Sequence, residues 1–446
     1  MWKFLVLVIC MPLFLTAQDA VASKNKGNLS GQWRTFYMGT LNKGDLKDYN
    51  ALATGGKLKY QYQILKNLEL GAALYNSTNL GIQDLKIADG ATDKVSRYEE
   101  GLFDRQNLSN DAIFLLGELY VDYQLKAHQF ILGRMKINTP LINPEDGRMI
   151  PTLVQGLWYK NKTEGQNFFQ FGILNQIAPR STGEFFGIGE SIGTYNVGRN
   201  IYGQPAQYKG NTQSDYIILA NADIKLDQNV SIFVWNQFVQ NVFNSFYLKP
   251  RLKITDALQL EGEWLHQNKV GDGGNAMDTL RYFDQNTSDV LGLKWGYQFS
   301  NSKASLSYNR ILTNGQFISP REWGREGLFS FQKRERSEGS GDNHALVFNY
   351  ETSIAILKNK ANINTNVNLG RHWKPEPTNA VLNKYAVPDY THINVDLLFN
   401  FKELKHLKPE LLITTKLAHG AIPENPNFYY NKVDMWHVSA VVNYNF

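Results

Sequence analysis

Hydrophobic and polar side chains alternate along much of this chain with a period of two residues, which predicts β-strands that have one apolar face. The final strand is a clear example, and its apolar face is formed by Trp436, Val438, Ala440, Val442, Tyr444 and Phe446. Its other face is largely polar, which is typical of the strand that closes a membrane barrel and carries its export signal. The last strand of a soluble sandwich could alternate in the same way. The choice between a membrane barrel and a sandwich therefore depends on how often the pattern recurs along the chain.

The same alternation recurs in earlier segments. Apolar residues at every second position on either side of Lys66-Asn67 predict a hairpin. The segment from Ile113 to Tyr123 is predicted to be one strand whose apolar face takes every second residue from Ile113, with Glu118 and Asp122 opposite. Between positions 362 and 369 the second face consists of asparagines, which would make a poor hydrophobic core.

We count about 18 such segments of roughly ten residues, an even number in the range of bacterial outer-membrane barrels. Short turns alternate with long polar loops at 78–111, 137–150, 178–213, 268–287, 313–341, 373–389 and 419–432. The connection at 241–244 is short for its place in this series. The sequence therefore predicts an all-β fold, a transmembrane antiparallel up-and-down barrel with long external loops, in one domain over residues 23–446.

Composition supports a membrane barrel rather than a helical membrane protein. Aromatic residues make up 13% of the chain and mean hydropathy is −0.37, and no segment beyond residue 22 offers the roughly 18 apolar residues of a membrane helix. Residues 1–22 are predicted to be a signal peptide that contains the only cysteine, Cys10. The net charge of +5 points neither to nucleic acid nor to a polybasic membrane anchor.

Basic residues on the polar face of one predicted strand suggest a pathway for anions. Lys249, Arg251 and Lys253 alternate with apolar residues and would form a row of cations on the lumen wall. The alternative is that they pair with Glu261 and Glu263 on the following strand. Further lumen candidates are Lys57, Lys59, Arg134 and Lys294.

The loop from Asn138 to Pro151 contains three prolines and several apolar residues, so we expect it to fold inward against the wall. Its segment Asp146-Gly147-Arg148-Met149-Ile150-Pro151 resembles the Asp-Ser-Arg-Leu-Leu-Pro loop of the OprD-type family of substrate-specific outer-membrane porins, with Gly147 in place of the serine. A second resemblance to that family runs from Val239 to Gly274. Together with the strand count and Phe446, the resemblance covers essentially the whole mature chain.

The resemblance implies an 18-stranded barrel whose third, fourth and seventh loops fold inward to an eyelet. It also implies a ladder of basic residues that guides substrates carrying a carboxylate. On this chain Arg148 would be the eyelet cation, with Asp146 beside it. Arg325, Arg334 and Arg336 of the seventh loop would lie at the eyelet rim, unless that loop is a solvated external loop held by its own ion pairs.

The predicted function is passive, selective diffusion of small carboxylate-bearing solutes such as amino acids, organic acids and short peptides across the outer membrane of a Gram-negative bacterium. The runner-up is a chitoporin-like oligosaccharide channel with an aromatic slide. Its residues would be Trp158, Phe185, Phe186, Tyr195, Tyr202 and Trp323. An adhesin and an outer-membrane lipase are weaker alternatives.

The sequence offers no constellation of catalytic residues, so we expect neither an enzyme nor a cofactor nor a metal site. The expected partners are the solutes, outer-membrane lipid and lipopolysaccharide. The barrel-assembly machinery would recognise the last strand, which ends in Phe446. The protein would be a monomer or a loose trimer and would not bind nucleic acid.

Overall fold

The structure, a computed structural model, describes residues 27–144, 147–195, 197–420 and 422–446. The predicted signal peptide, 1–22, and Asp146 lie outside these ranges. The strands of the described part are β1 Gly27–Leu41, β2 Tyr49–Leu65, β3 Leu68–Asn79, β4 Ala112–Leu125, β5 His128–Met135, β6 Leu153–Lys162, β7 Phe168–Ala178, β8 Phe186–Gly187, β9 Ile217–Lys225, β10 Val230–Val239, β11 Phe243–Lys253, β12 Leu258–Lys269, β13 Thr287–Gln298, β14 Ser302–Ile311, β15 Asn343–Ile356, β16 Ala361–Trp373, β17 Tyr390–Phe401, β18 Leu407–Ala418 and β19 Met435–Asn445.

Eighteen of these strands form one closed antiparallel barrel. Each strand pairs with the next in sequence, except that β7 pairs with β9 and the two-residue β8 is added beside β7. The ring closes where β1 pairs with β19, with Trp33 opposite Tyr444. The predicted fold class is thus confirmed, with one small extra strand.

Within the described ranges the helices are few and short. A four-residue α-helix, α1, spans Ile188–Ser191, and the 3-10 helices are Glu99–Leu102, Asp278–Leu280, Arg321–Trp323 and Pro426–Phe428. No helix in the described part is long and apolar enough to cross a membrane.

The outer face of the barrel carries the apolar residues that the alternation predicted. Leu293 and Trp295 on β13 are 53% and 59% exposed, and Trp436 on β19 is 52% exposed. On the inner face of β19 His437 and Ser439 are buried. Large exposed side chains at every second position are what lipid-facing strands present, because only that face meets the hydrocarbon.

The prediction for β4 was wrong in one respect, because a β-bulge interrupts the alternation. Ala73 of β3 pairs with Glu118, but its neighbour Leu74 pairs with Leu116, which leaves Gly117 as an extra residue. The side chains change faces there. Ile113, before the bulge, is buried inside, whereas Leu119, after it, is 52% exposed outside. An inserted residue shifts the period of two by one, so no single face runs through the strand.

The two ends of the barrel differ, as predicted. Eight turns of two to five residues lie at one end, at 66–67, 126–127, 163–167, 226–229, 254–257, 299–301, 357–360 and 402–406. Nine connections lie at the other end, and we call them L1 to L9: 42–48, 80–111, 136–152, 179–216, 240–242, 270–286, 312–342, 374–389 and 419–434. L5 has only three residues, which agrees with the short connection expected there.

Three of the long loops fold into the lumen and pack on its wall. The largest buried cluster brings Leu141 of L3, Ile188 of L4 and Phe317 of L7 against Trp158 and Trp235 of the wall. Burying a large apolar side chain stabilises a fold by about 1.5–3 kcal/mol, so these loops are held inside by the hydrophobic effect. The inward folding of the third, fourth and seventh loops, which the resemblance implied, is present.

Candidate pore constriction

A cavity of about 470 Å³ lies where L2, L3, L4 and L7 meet the inner wall. Its lining is strongly cationic. Twelve basic residues line it, namely Arg34, Lys57, Arg97, Arg105, Lys136, Arg148, Arg180, Arg321, Arg325, Lys333, Arg334 and Arg336. Among the described residues only two acids, Glu335 and Glu410, line it. Several of these bases have acidic partners: Lys333 pairs with Asp396 and Glu410, Arg105 with Glu100, and Arg321 with Glu338. The excess of bases that is left creates, inside low-dielectric walls, a positive potential that attracts anions.

Arg34 on β1 joins the wall to L3. Its Nε donates to Asn443 Oδ1 on β19 at 2.7 Å, and its guanidinium also donates to the carbonyl oxygen of Arg148. Lys57 lies nearby, because it pairs across the sheet with Gln32, two residues before Arg34. It faces the lumen as predicted. Lys59, two residues on, is paired with Glu118 at 2.7 Å.

Arg148, the expected eyelet cation, lies against the cavity but is buried to 8% exposure. Its Nη1 donates to the carbonyl oxygen of Tyr98 in L2 at 2.8 Å. At Gly147 a Cβ atom would come within 3.7 Å of Arg334 Nη2, so this position, where the family has serine, faces L7.

L7 is folded into the lumen, which contradicts the alternative of a solvated external loop. Glu326 is buried, and its carboxylate accepts hydrogen bonds from the backbone N–H groups of Ser337 at 2.7 Å and Glu338 at 2.9 Å. Arg321 Nε donates to the buried Glu338 at 2.5 Å, and Arg321 Cζ lies 3.6 Å from the ring centre of Tyr385. Burial raises the pKa of Glu326, although these two backbone donors oppose the rise.

The three predicted rim arginines of L7 all line the cavity together with Arg148. Arg334 Nη2 donates to Ser439 Oγ on β19 at 2.8 Å. The guanidinium of Arg336 donates to the carbonyl oxygen of Gly324, and that of Arg325 lies 5.2 Å from the ring centre of Phe331. The structure therefore brings the predicted eyelet residues of L3 and L7 to one place.

The row Lys249, Arg251 and Lys253 faces the lumen on β11 but lies outside this cavity. Lys249 Nζ is 3.4 Å from Glu263 and donates to the carbonyl oxygen of Gly327 at 2.6 Å. The other partners are Asp223 at 3.3 Å and Glu261 at 3.9 Å for Arg251, Asp256 at 2.6 Å for Lys253, and Glu261 at 3.7 Å for Lys294. The alternative of pairing with acids thus describes these residues better than a bare row of cations.

Arg134 does not face the lumen, contrary to the prediction. It pairs across the sheet with Leu119, which is 52% exposed on the outer surface, and paired residues of neighbouring strands share a face. Its guanidinium lies 4.4 Å from the ring centre of Phe185. Phe130, Ile131 and Leu132 are apolar in succession, so the sequence before Arg134 does not show which face of the strand is the outer one.

The aromatic slide of the oligosaccharide alternative is not assembled. Trp158 and Trp323 are buried in the cluster that holds the loops, at 1% and 0% exposure. Tyr202 is 58% exposed in L4 and donates to Asp278, and Phe185 packs beside Arg134. Of the six predicted residues only Tyr195 lines the cavity.

Several cavity cations were missed at the sequence level. The lumen-facing position of Arg34 could have been predicted from the sequence. Arg34 is next to Trp33 on β1, and Trp33 is exposed on the outer face, so Arg34 belongs to the inner face. Arg105 of L2 and Arg180 of L4 carry no periodic signal. They lie on the ring of Tyr195, with distances of 3.8 and 4.3 Å to its centre.

Crystal structures of outer-membrane porins share this fold. OccK9 (OpdG) of Pseudomonas aeruginosa aligns with a TM-score of 0.70 and 14% identity, over 94% of this chain and 98% of its own. OpdK of the same organism, determined with vanillate, gives 0.68 and 12% over 94% and 98%. OccAB4 of Acinetobacter baumannii gives 0.67 and 15% over 96% and 100%. These neighbours are OprD-type porins, so the resemblance is confirmed at the level of the fold.

No protein-family profile and no curated protein sequence matches the chain.

Proposed function

We propose that this protein is an outer-membrane channel of a Gram-negative bacterium through which small solutes that carry a carboxylate diffuse passively. The barrel, with its apolar outer face, would lie in the membrane, and the cavity bounded by L2, L3, L4 and L7 would be the constriction. Transport would need no energy source, since selection depends only on width and electrostatic potential.

The observation that carries this proposal is the composition of the cavity, whose lining in the described ranges contains twelve basic residues and two acidic ones. A carboxylate that leaves water needs compensating charge and hydrogen bonds, and several arginines in one place can supply both. The same potential excludes cations from the constriction, because like charges in a narrow space repel.

The proposal draws support from the neighbour determined with vanillate, an aromatic carboxylate. The resemblance to that neighbour is one of fold, so the substrate of this chain is inferred from its own cavity. We expect compact mono- and dicarboxylates to bind, since the volume of about 470 Å³ is at the lower end for small-ligand sites.

The basic row on β11 would contribute less to selectivity than the cavity. Arg251 and Lys253 line a second cavity of about 630 Å³ near the short turns, together with Glu164, Lys225 and Glu261. Because acids and bases are mixed there, this region would pass solutes on with little discrimination.

The experiment is single-channel recording of the refolded protein in a planar bilayer, with a salt gradient and with carboxylates or oligosaccharides added. We expect a reversal potential that reports anion preference, and block by carboxylates. Block by sugars alone would favour the oligosaccharide channel, and a silent bilayer would reject a channel altogether. A variant with Arg334 and Arg336 replaced by glutamine should lose most of the anion preference.

A further inference from the structure

Tyr98 of L2 contacts the eyelet residue of L3. Its carbonyl oxygen accepts a hydrogen bond of 2.8 Å from Arg148 Nη1. Three residues later, a Cβ atom at Gly101 would lie 2.6 Å from Arg148 Cζ, closer than side-chain atoms pack. The guanidinium of Arg148 is therefore seated against the backbone of L2, in a space that exists because position 101 has no side chain.

The hydroxyl of Tyr98 contacts L7 and the wall. It donates to the carbonyl oxygen of Arg334 at 3.3 Å and accepts from Lys416 Nζ on β18 at 2.9 Å. Lys416 also donates to the same carbonyl oxygen at 2.8 Å. The phenol is only 4% exposed, so these bonds are shielded from water and are stronger than they would be at the surface.

L2 itself is fixed to the barrel beside Tyr98. The carboxylate of the fully buried Glu99 accepts hydrogen bonds from Thr40 Oγ1 and from Ser96 Oγ, each at 2.5 Å. The ring of Tyr98 packs on the imidazole of His437, with 4.8 Å between ring centres. Thr40 and His437 are paired neighbours on β1 and β19, so the anchor of L2 is the rigid wall.

We propose that Tyr98 is the positioning residue of the constriction. It holds Arg148 of L3 and Arg334 of L7 at the cavity through its backbone carbonyl and its hydroxyl, and it thereby sets the anion selectivity of the pore. This inference rests on the proposed function of the cavity as an anion-selective constriction. L2 is then a fourth constriction loop, in addition to L3, L4 and L7.

The selectivity follows from how closely the cations converge. The attraction between an anion and a cation falls with distance and with the water between them, so guanidinium groups that move toward solvent attract less strongly. Without the hydroxyl of Tyr98, the carbonyl oxygen of Arg334 loses one of its donors and keeps the bond from Lys416. L7 then moves more freely, the aperture widens, and the field at its centre weakens.

The test is Tyr98→Phe, which keeps the ring and its packing on His437 and removes only the hydroxyl. We expect carboxylate block to weaken roughly twofold to tenfold, the loss that corresponds to one buried hydrogen bond, together with higher conductance and a reversal potential closer to zero. The matched control is Tyr202→Phe, which removes the hydroxyl of an exposed tyrosine that donates to Asp278 at 2.7 Å and does not line the cavity. The control should behave as the wild type.

A second variant reaches Arg148 by another route. Gly101→Ala places a methyl group where the guanidinium packs, so we expect it to displace Arg148 and lower the anion preference while Tyr98 remains. Amide hydrogen exchange of peptides covering 147–151 and 330–337 measures how firmly the two loops are held, independently of any current. Exchange should be faster in both peptides in Gly101→Ala, and in the second peptide in Tyr98→Phe.

The outcomes separate the two proposals. Wild-type selectivity, block and exchange in Tyr98→Phe would overturn the positioning role and leave the channel intact. If wild-type protein shows no anion preference, the proposed function fails, and faster exchange at 330–337 in Tyr98→Phe would still support the role of Tyr98 in holding L7.

Discussion

Lys416 on β18 and Glu335 in L7 form a buried ion pair inside the barrel, with 2.7 Å between Nζ and Oε2 and side-chain exposures of 0% and 2%. The ammonium has two further partners, the hydroxyl of Tyr98 and the carbonyl oxygen of Arg334. All three of its protons are therefore bonded. A charge this deep is stable only when it is paired and fully hydrogen-bonded, so the pair fixes where L7 crosses the lumen.

Replacing Glu335 by glutamine should lower the free energy of unfolding by about 3–5 kcal/mol, because it leaves the Lys416 ammonium buried without a counter-charge. Urea unfolding in lipid or detergent measures the change. The control is Lys43→Gln, which removes an exposed pair with Asp434 and should cost less than about 1 kcal/mol.

The double variant Glu335→Leu with Lys416→Met should recover most of this stability, since two apolar side chains of similar size need no partner. If the double variant lost as much unfolding free energy as Glu335→Gln alone, the loss of stability could not be assigned to an unpaired charge.

The contribution of Glu335 should depend on pH in a defined way. Burial by itself would raise the pKa of Glu335, but Lys416, with Arg97 and Lys374, holds that pKa well below its usual value. A depressed carboxyl pKa contributes stability above the unfolded-state pKa of about 4.3 and loses it as the pH falls through the folded-state pKa. The difference in unfolding free energy between wild type and Glu335→Gln should be constant from pH 7 to about pH 5 and shrink below about pH 4.

Neutralising cavity cations should alter selectivity more than neutralising the β11 row. Arg336→Gln removes a charge from a lining in which bases greatly outnumber acids, whereas Arg251→Gln removes one that lies 3.3 Å from Asp223. Reversal potentials under a salt gradient compare the two. A larger shift for Arg251→Gln would assign selection to the row on β11 instead of the constriction.

Trp323 should anchor L7 against L4. It is fully buried, and its Nε1 donates to Ser191 Oγ at 2.8 Å. Trp323→Ala should cost about 3–5 kcal/mol and release L7, which would raise conductance and expose the loop to protease. Trp295→Ala makes the same change on the outer face and should leave conductance unaltered, since Trp295 is 59% exposed there.

The barrel could be predicted from the sequence because its strands repeat one simple rule. Residues such as Leu293 and Trp295 must meet lipid at every second position, and this constraint holds in almost every strand. The rule fails where backbone geometry changes. The bulge at Gly117 places Ile113 and Leu119 on opposite faces, although the alternation predicts that they share one.

The constriction was predictable only in part, because loops carry no period. The motif around Arg148 and the charge density of L7 identified two of its loops. The part played by L2 was missed, since Tyr98 and Glu99 act through contacts with residues more than 300 positions away, such as Lys416 and His437. Such contacts exist only once the chain has folded.

The anchor of L2 is complete only after the barrel has closed. Thr40 belongs to the first strand and His437 to the last, and they become neighbours only when β1 meets β19. Glu99 and Tyr98 therefore lack part of their binding contacts on the wall until the last strand is in place. A nascent, unclosed sheet would have a loose interior, and the selective aperture would form in the same event that seals the cylinder.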